Sequence, residues 1–425
     1  SADLEQILAG ISPEFAQDQE ILRKALHNSQ EKNNPSILAL IAALEAQEGL
    51  YAQALQNINR ALRQRPKSTS FILMKANLLM ALQDDAATQQ WFAKASQNNP
   101  KNIDLRLAEA RYYIQINQQQ RALSKLESII KDHPKAEEAL FIAGLTSIDL
   151  KQDQKAEQYL VELRSSAKYQ NEAYYYLAIN AQRKQHYETA QTYYRMVGGS
   201  LYMVSRRNML SIFEKQGQLD DGLRFLTQER VNYPLHASFL YQAQADILKK
   251  MGNKKAALAL LDEAIQALPD DPELIYAEVL LLDPYADRDK LDQTLKQLLQ
   301  LEPNSPTYLN AYAYTLALQN RRLKEARLYA ERALDFAPEQ AAILDTLGYI
   351  AFLQNDFDTA VNVLGQAYTL SQNPNIGIRY AKALYMQGAL PQFSEVLQQL
   401  KKNHANHPQL QQLDSLILPV NIKKS

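Results

Sequence analysis

The chain contains no cysteine among its 425 residues, which excludes a thiolate nucleophile, a thiolate-bound metal and a disulfide framework. Glycine and proline are scarce, at 12 and 16 residues, so glycine-rich phosphate loops and the tight turns of a β-rich protein lack support. No apolar run approaches the ~20 residues that a membrane-spanning helix requires. The 46 basic and 47 acidic residues nearly cancel, so bulk charge favours neither nucleic acid nor anionic lipid as a partner.

The prolines that are present recur at a fixed spacing. Pro66, Pro100 and Pro134 are 34 residues apart, and the later prolines at 234, 269, 303 and 338 follow at intervals of 34 or 35. A fixed period in this range is typical of stacked supersecondary units, and this length suits a pair of helices. Sustained alternation of apolar and polar residues is missing, so strands are not indicated. The sequence therefore predicts an all-α chain of repeated helical hairpins.

The most regular unit runs from Ala341 to Pro374, and its small and apolar residues recur at the three-and-four spacing of an amphipathic helix. They are Leu344, Leu347, Gly348, Ala351, Phe357, Ala360, Leu364 and Ala367. Small side chains are expected at Gly348 and Ala360, where the two helices of the unit cross, and at Ala367, where the next unit stacks. In this signature the chain resembles the tetratricopeptide repeat (TPR) family, which implies a helix-turn-helix solenoid forming a right-handed superhelix.

The same frame predicts about eleven units between Pro35 and His404. We expect N-terminal capping helices at 1–34, an N-terminal array at 35–200, a C-terminal array at 201–404, and a capping helix with a polar tail at 405–425. Gly198-Gly199 lies between the arrays, as either a longer turn or a joint. Asp283-Pro284 is expected to shorten a first helix, because proline lacks a backbone donor and restricts the preceding residue.

The concave wall of a TPR array is expected at positions 2, 5, 9 and 12 of each first helix. In this chain, apolar and aromatic residues alternate there with charged ones, as in surfaces that bind protein segments through a few anchors. The predicted wall residues are Leu73, Asn77, Arg111, Phe141, Tyr175, Ile179, Arg207, Phe239, Tyr276, Asp345, Tyr349, Phe352 and Tyr385.

Four aromatic wall residues are the expected main anchors: Phe141, Tyr175, Tyr276 and Tyr349. Any single one of them could instead pack against a neighbouring first helix. When the last unit is counted from Pro374, its position 5 falls on Ile378. The wall as a whole predicts an extended surface for gripping protein segments rather than a reaction pocket.

Catalytic and metal-binding patterns do not support an enzyme. No HExxH motif, nucleophile elbow or glycine-rich phosphate loop occurs in the sequence. His404 and His407 are three residues apart, but Pro408 follows at once and no carboxylate-rich motif accompanies them. We therefore predict a non-catalytic protein without a metal or other cofactor.

The stretch from Tyr308 to Gly388 resembles bacterial outer-membrane TPR lipoproteins that act as adaptors of a periplasmic carboxyl-terminal processing protease. The segments that carry this resemblance are 310–317, 325–326, 344–349 and 360–361. It implies a scaffold that holds the protease and presents peptidoglycan hydrolases to it, in the periplasm and anchored to the outer membrane. Such lipoproteins are acylated on a cysteine that this sequence lacks, so any lipid anchor is expected to precede Ser1.

Two other kinds of TPR scaffold are alternatives to this adaptor. A scaffold for envelope polysaccharide export would share the fold, the compartment and the groove. A cytosolic co-chaperone is disfavoured, because the carboxylate clamp of that TPR subfamily needs a basic residue at position 5 followed by Asn at position 9. Here Leu73 precedes Asn77, and Arg207 is followed by Ser211.

Overall fold

The computed structural model of the chain describes residues 23–28 and 33–413. This part contains 22 α-helices, with short helical segments at 23–27 and 410–413 and 3-10 turns at Gly199–Leu201 and Pro234–His236. The helices are α1 (Pro35–Gln47), α2 (Tyr51–Gln64), α3 (Thr69–Ala81), α4 (Asp85–Asn98), α5 (Ile103–Gln115), α6 (Gln119–Asp132), α7 (Glu137–Asp149), α8 (Asp153–Val161), α9 (Gln170–Arg183), α10 (Tyr187–Arg195), α11 (Tyr202–Lys215), α12 (Leu219–Asn232), α13 (Ala237–Lys250), α14 (Lys254–Ala267), α15 (Pro272–Leu281), α16 (Arg288–Leu301), α17 (Pro306–Leu318), α18 (Leu323–Phe336), α19 (Ala341–Leu353), α20 (Phe357–Ser371), α21 (Pro374–Gln387) and α22 (Leu390–Asn403).

Each odd-numbered helix is followed by a short turn and an even-numbered helix, so the described helices α1–α22 form eleven helix-turn-helix units. The predicted all-α array of TPR-type units is thereby confirmed. The turn inside most units contains a residue in the left-handed conformation, for example Asn117 at φ 58°. The N–H of Asn117 bonds to the carbonyl of Ile114 at 3.0 Å, and the N–H of Gln118 to that of Tyr113 at 2.8 Å. These bonds satisfy carbonyls that the end of the first helix would otherwise leave without a donor.

The unit formed by α15 and α16 departs from this turn. Its first helix has 10 residues, against 13 in α17, and Leu282 after it is extended at ψ 142°. The Asp283 carboxylate accepts the N–H groups of Tyr285 and Ala286, both at 2.8 Å. The predicted shortening at Asp283-Pro284 is confirmed, because the proline ends the helical hydrogen-bond pattern and Asp283 caps the turn in its place.

Small residues stand where the helices of one unit approach most closely. A Cβ atom on Gly348 would lie 2.4 Å from Cγ of Leu364, and one on Gly144 would lie 2.7 Å from Cγ of Leu160. Ala360 has no exposed surface. Glycine at these crossings therefore sets the distance between first and second helix, as the sequence predicted for Gly348.

The hydrophobic core is a succession of clusters between neighbouring units. One cluster includes buried residues from Leu38 to Ala122, and another includes buried residues from Ile275 to Leu413. The chain divides into two compact units, whose described residues end at Ile212 and begin at Phe213. We call these two halves of the chain the first unit and the second unit, and each of them contains several helix-turn-helix pairs. This division falls within α11, whereas the array boundary predicted from the sequence lies before that helix, at residue 200.

Both predicted caps are described only in part. At the N-terminal end, Leu26 is buried in a cluster with Ile37, and Arg23 forms an ion pair with Glu48 at 3.0 Å. The remainder of the predicted cap, residues 1–22 and 29–32, lies outside the described residues. At the C-terminal end, residues 410–413 are helical and their two leucines are buried, while 414–425 lie outside the described residues. Within the described ranges, no helix has both the length and the apolar character to cross a membrane.

Hydrogen bonds with side chains hold the diglycine turn at 198–199 in place. The carbonyl oxygen of the Asn171 side chain accepts the N–H of Gly198 at 2.9 Å. The guanidinium of Arg206, which is fully buried, donates to the backbone carbonyls of Tyr194 at 2.9 Å and Val197 at 2.6 Å. A cation at the end of α10 complements the negative end of that helix dipole.

Candidate protein-binding groove

Local capping signals set where the groove helices of the second unit begin. The Asp271 carboxylate accepts the N–H groups of Glu273 and Leu274 at the start of α15, and the Ser305 hydroxyl accepts the N–H of Tyr308 at the start of α17. Pro272 and Pro306 occupy the first helical positions, where a missing N–H costs nothing. Because successive units repeat every 34 or 35 residues, equivalent positions of these helices come to one face.

A cavity of about 600 Å³ lies along that face, against the first helices α15, α17 and α19. Tyr276 and Leu280 line it from α15, Asn310 and Tyr314 from α17, and Asp345 from α19. These residues occupy positions 5 and 9 of their units, where the sequence predicted the wall. Apolar and polar groups thus alternate along one concave surface, an arrangement that suits a peptide.

A second cavity, of about 280 Å³, adjoins the first and shares Tyr276 and Leu280 with it. Its other wall comes from α13, through Gln242, Asp246 and Lys249. We call the two cavities together the inner groove. Leu280 is 62% exposed at the junction, which is unusual for a leucine beside a core. An exposed apolar side chain in the middle of a concave surface is a candidate anchor for a bound chain.

Two buried acceptors in the larger cavity have no donor. Oδ1 of Asn310 and Oδ1 of Asp345 are shielded from solvent and accept no hydrogen bond from the described residues. An unsatisfied buried polar atom costs about 1–3 kcal/mol, so such atoms are uncommon in a finished core. Both side chains line the cavity, at equivalent positions of α17 and α19.

Arg379 closes the end of the wall beyond α19. Its guanidinium donates to Oδ2 of Asp345 at 2.7 Å, and its centre lies 4.6 Å from the ring of Tyr349 and 5.9 Å from that of Tyr314. Burial raises the pKa of Asp345, and the neighbouring Arg379 offsets this only in part. Burial opposes the charge on Arg379, but Asp345 and Tyr314 outweigh it and raise the pKa of the guanidinium.

Only some of the predicted wall residues of the second unit line the inner groove. Tyr276 and Asp345 line the inner groove, and Tyr349 lies beneath Arg379. Phe352 packs on Phe357 and Tyr385 on Phe393, with ring centroids 5.5 and 5.4 Å apart, so each faces the second helix of its own unit. Phe239, on α13, is half-buried and lines neither of the two cavities.

In the first unit, the structure brings two of the expected anchors together. Phe141 lies 6.2 Å from Tyr176, and Tyr175 lies 5.2 Å from the same ring. Phe141 also stacks on Tyr169 at 4.8 Å. All four rings therefore form one aromatic cluster on α7, α9 and the turn before α9.

The remaining predicted residues of the first unit lie along α3, α5, α9 and α11. Leu73 and Ile179 are half-buried, whereas Asn77, Arg111 and Arg207 are exposed. Arg111 forms an ion pair with Glu138, which joins the exposed faces of α5 and α7. These five side chains are spread over four different helices.

The residues predicted from the sequence did not include the groove residues Asn310 and Tyr314 or the wall residue Arg379. Asn310 and Tyr314 occupy positions 5 and 9 counted from Pro306, and applying the wall rule to that unit would have found them. The assignment of Ile378 to the wall was wrong, since this side chain is 1% exposed and lies in the core. Its neighbour Arg379 takes the place instead, because α21 starts earlier in the repeat and has 14 residues, against 13 in α19.

The fold and the groove define a class of protein, in which TPR-type helical hairpins stack and their first helices form a concave wall. Residues 351–417 match the family model for the tetratricopeptide repeat. A TPR repeat-containing protein of Pseudomonas aeruginosa is 29% identical over 175 residues, which cover 41% of this chain and 30% of that protein. The protein O-mannosyl-transferase Tmtc2 of Drosophila melanogaster is 33% identical over 90 residues, covering 20% of this chain and 10% of that one.

These two relatives are thus matched over less than a third of their own length. Among solved structures, yeast Tom70 aligns over 93% of this chain and 97% of its own, with 13% identity and a TM-score of 0.42.

Proposed function

We propose that this chain is a non-catalytic scaffold whose inner groove holds an extended segment of a partner protein. The observation that carries the proposal is a pair of acceptor atoms without a hydrogen-bond donor, Oδ1 of Asn310 and Oδ1 of Asp345. Their side chains line a cavity that is also lined by Tyr276 and Leu280. A polypeptide supplies what each group needs, because its N–H groups donate and its side chains bury apolar area. Few small metabolites combine both along a surface of this length.

We further propose that the partners are a periplasmic carboxyl-terminal processing protease and the peptidoglycan hydrolases that it degrades. The resemblance of residues 308–388 to adaptors of such proteases supports this choice, and that stretch contains Asn310, Tyr314, Asp345 and Arg379. An adaptor needs a surface for each partner. The inner groove of the second unit and the aromatic cluster of the first unit are two candidate surfaces. In this proposal the protein works in the periplasm, on the outer membrane, through a lipid anchor outside the present sequence.

The test measures hydrolase cleavage by the purified protease with and without this chain, together with the affinity of the chain for each partner. Leu280→Ala removes the exposed apolar anchor, and we expect about tenfold weaker binding of the partner that occupies the groove. Leu328→Ala is the matched control, because Leu328 is 61% exposed, against 62% for Leu280, but lies on the second helix α18.

If Leu280→Ala and Leu328→Ala bind the partner with equal affinity, the inner groove is not the binding site. If the chain neither binds the protease nor accelerates hydrolase cleavage, the adaptor role is wrong. Co-purification with envelope export proteins instead would then favour the alternative scaffold.

A further inference from the structure

A strongly basic cavity of about 650 Å³ lies in the first unit, between the second helices α2 and α4. Four cationic side chains line it: Arg63, Lys67, Lys75 and Lys94. Three asparagines add amide donors, at 59, 98 and 99, and no aspartate or glutamate contributes to the lining. The first helix α3 contributes Ile72 and Lys75 at positions 4 and 7, so this cavity does not involve the wall positions of the proposed peptide groove.

The four cations are not neutralised by the protein. None of them forms an ion pair with a carboxylate in the described ranges, 23–28 and 33–413. Elsewhere in the first unit lysines do find partners, as in Lys125 with Glu109 at 2.9 Å and Lys155 with Glu127 at 2.7 Å. Like charges around one cavity repel each other, so this arrangement does not by itself stabilise the fold.

The cavity also has a rigid aromatic side. The indole N–H of Trp91 donates to the backbone carbonyl of Ile72 at 3.0 Å, which fixes the ring. Nζ of Lys75 lies 4.0 Å from the centre of that ring. Burial, and then the nearby Lys94, lower the pKa of Lys75, so the ammonium form of Lys75 is less favourable here than in water and would gain from a bound anion.

We propose that this cavity binds a ligand through phosphate groups, with Lys75, Lys94 and Arg63 as the charged donors and Trp91 against the adjoining part of the ligand. A phosphate carries more charge than a carboxylate and has more acceptor oxygens, so it can satisfy several cations and amides at once. The phosphate belongs either to a soluble compound or to the head group of an anionic phospholipid. Both sources present the same chemistry to the cavity, and the experiment separates them.

Trp91 is the only tryptophan of the chain, so its fluorescence reports on this cavity alone. One titration uses inorganic pyrophosphate, and a second uses vesicles of phosphatidylcholine containing phosphatidylglycerol, with pure phosphatidylcholine vesicles for comparison. We expect a saturable fluorescence change whose midpoint shifts about tenfold to higher concentration in Lys94→Gln and in Lys75→Gln. Lys75→Arg keeps the charge and is expected to retain most of the binding.

The control is the double variant Lys131→Gln with Lys135→Gln, which removes exposed cations of the same unit outside the cavity. We expect its midpoint to match the wild type. Lys94 is itself exposed, so Lys94→Gln is expected to fold normally, and circular dichroism checks this. A response to pyrophosphate supports a soluble ligand, and one to phosphatidylglycerol vesicles alone supports a head group.

Three results would overturn the proposal. The first is the absence of a saturable change with both probes. The second is an equal midpoint shift in the control double variant, which would mean unspecific charge attraction. The third is a response to polyglutamate but to neither phosphate probe, which would assign the cavity to an acidic protein segment.

Discussion

The carboxylate of Asp345 lies 2.7 Å from the guanidinium of Arg379, and the two residues are 34 positions apart in the chain. One repeat period therefore separates them, and the ion pair joins equivalent positions of α19 and α21. Oδ2 of Asp345 is used by this pair, while Oδ1 remains in the inner groove without a donor. A contact that stabilises the array thus also orients a candidate ligand-binding atom.

Replacing Arg379 by glutamine is expected to lower the free energy of unfolding by about 2 kcal/mol near neutral pH. The substitution leaves Asp345 partly buried and ionised without its counter-charge. Burial already raises the pKa of Asp345 above its ordinary 3.8, so ionisation opposes folding. Stability from this group is complete below about 3.8 and is lost as the pH rises through the folded-state pKa. The deficit of Arg379→Gln is therefore expected to shrink in acid, which urea unfolding at several pH values measures.

Asp345→Asn is the partner control for that prediction. An amide needs no counter-charge, so adding Asp345→Asn to Arg379→Gln is expected to recover part of the lost stability. A deficit that does not change with pH, or a double variant as unstable as the sum of the single variants, would show that Arg379 acts through packing alone.

Two helical glycines of the second unit are expected to respond to alanine with opposite signs. A Cβ on Gly348 would meet Cγ of Leu364 at 2.4 Å, so Gly348→Ala overpacks the helix crossing and costs about 1–3 kcal/mol. The nearest atom to a Cβ on Gly222 is 3.5 Å away, an ordinary contact, so Gly222→Ala gains about 0.5–1 kcal/mol through helix propensity. Thermal unfolding followed by circular dichroism compares the two variants. Stabilisation by Gly348→Ala would mean that the crossing can widen at little cost.

Arg206→Met is expected to destabilise the first unit by about 3 kcal/mol. The guanidinium has no exposed surface and donates to the carbonyls of Tyr194 and Val197, which methionine would leave buried without a donor. Arg206→Lys keeps the charge but not the planar fork, so an intermediate loss is expected. Trp91 lies in the same unit and its fluorescence follows the transition. A loss below about 1 kcal/mol in Arg206→Met would mean that the turn at 198–199 does not depend on this side chain.

Acid unfolding is expected to depend on Asp292. Partial burial would raise its pKa, but hydrogen bonds from Tyr312, Lys296 and Arg322 outweigh burial and lower the pKa to about 2. A carboxyl group with a depressed pKa stabilises the fold above its ordinary value of 3.8, and that stability is lost as the pH falls towards about 2.

Asp292→Asn is therefore expected to cost about 1–2 kcal/mol at neutral pH and to remove most of the pH dependence between those two values. The measurement is urea unfolding of both proteins across this pH interval. Parallel pH profiles of variant and wild type would assign the acid sensitivity to other carboxylates.

Much of the fold was predictable, because local patterns carried it. The prolines marked the period, and Gly348, Ala360 and the leucines around them indicated where helices cross. Asp283-Pro284 indicated the shortened α15. The groove was less accessible to prediction. Tyr276 and Asp345 lie on the wall, but Phe352 and Tyr385 face the second helix of their own unit. Both of these aromatic residues occupy position 12, near the C-terminal end of the first helix.

The sequence by itself determined the all-α array of eleven hairpins, because the spacing of small and apolar residues decides which helix faces can pack. The tertiary structure alone decided which side chains meet across units. A one-residue shift at the start of α21 placed Arg379 on the wall and Ile378 in the core. Four cations spread from residue 63 to residue 94 line one cavity only because α2, α3 and α4 come together around it. The rotation of each helix and the distance between neighbouring helices determine which side chains meet across units. The sequence pattern within a single repeat does not specify these contacts.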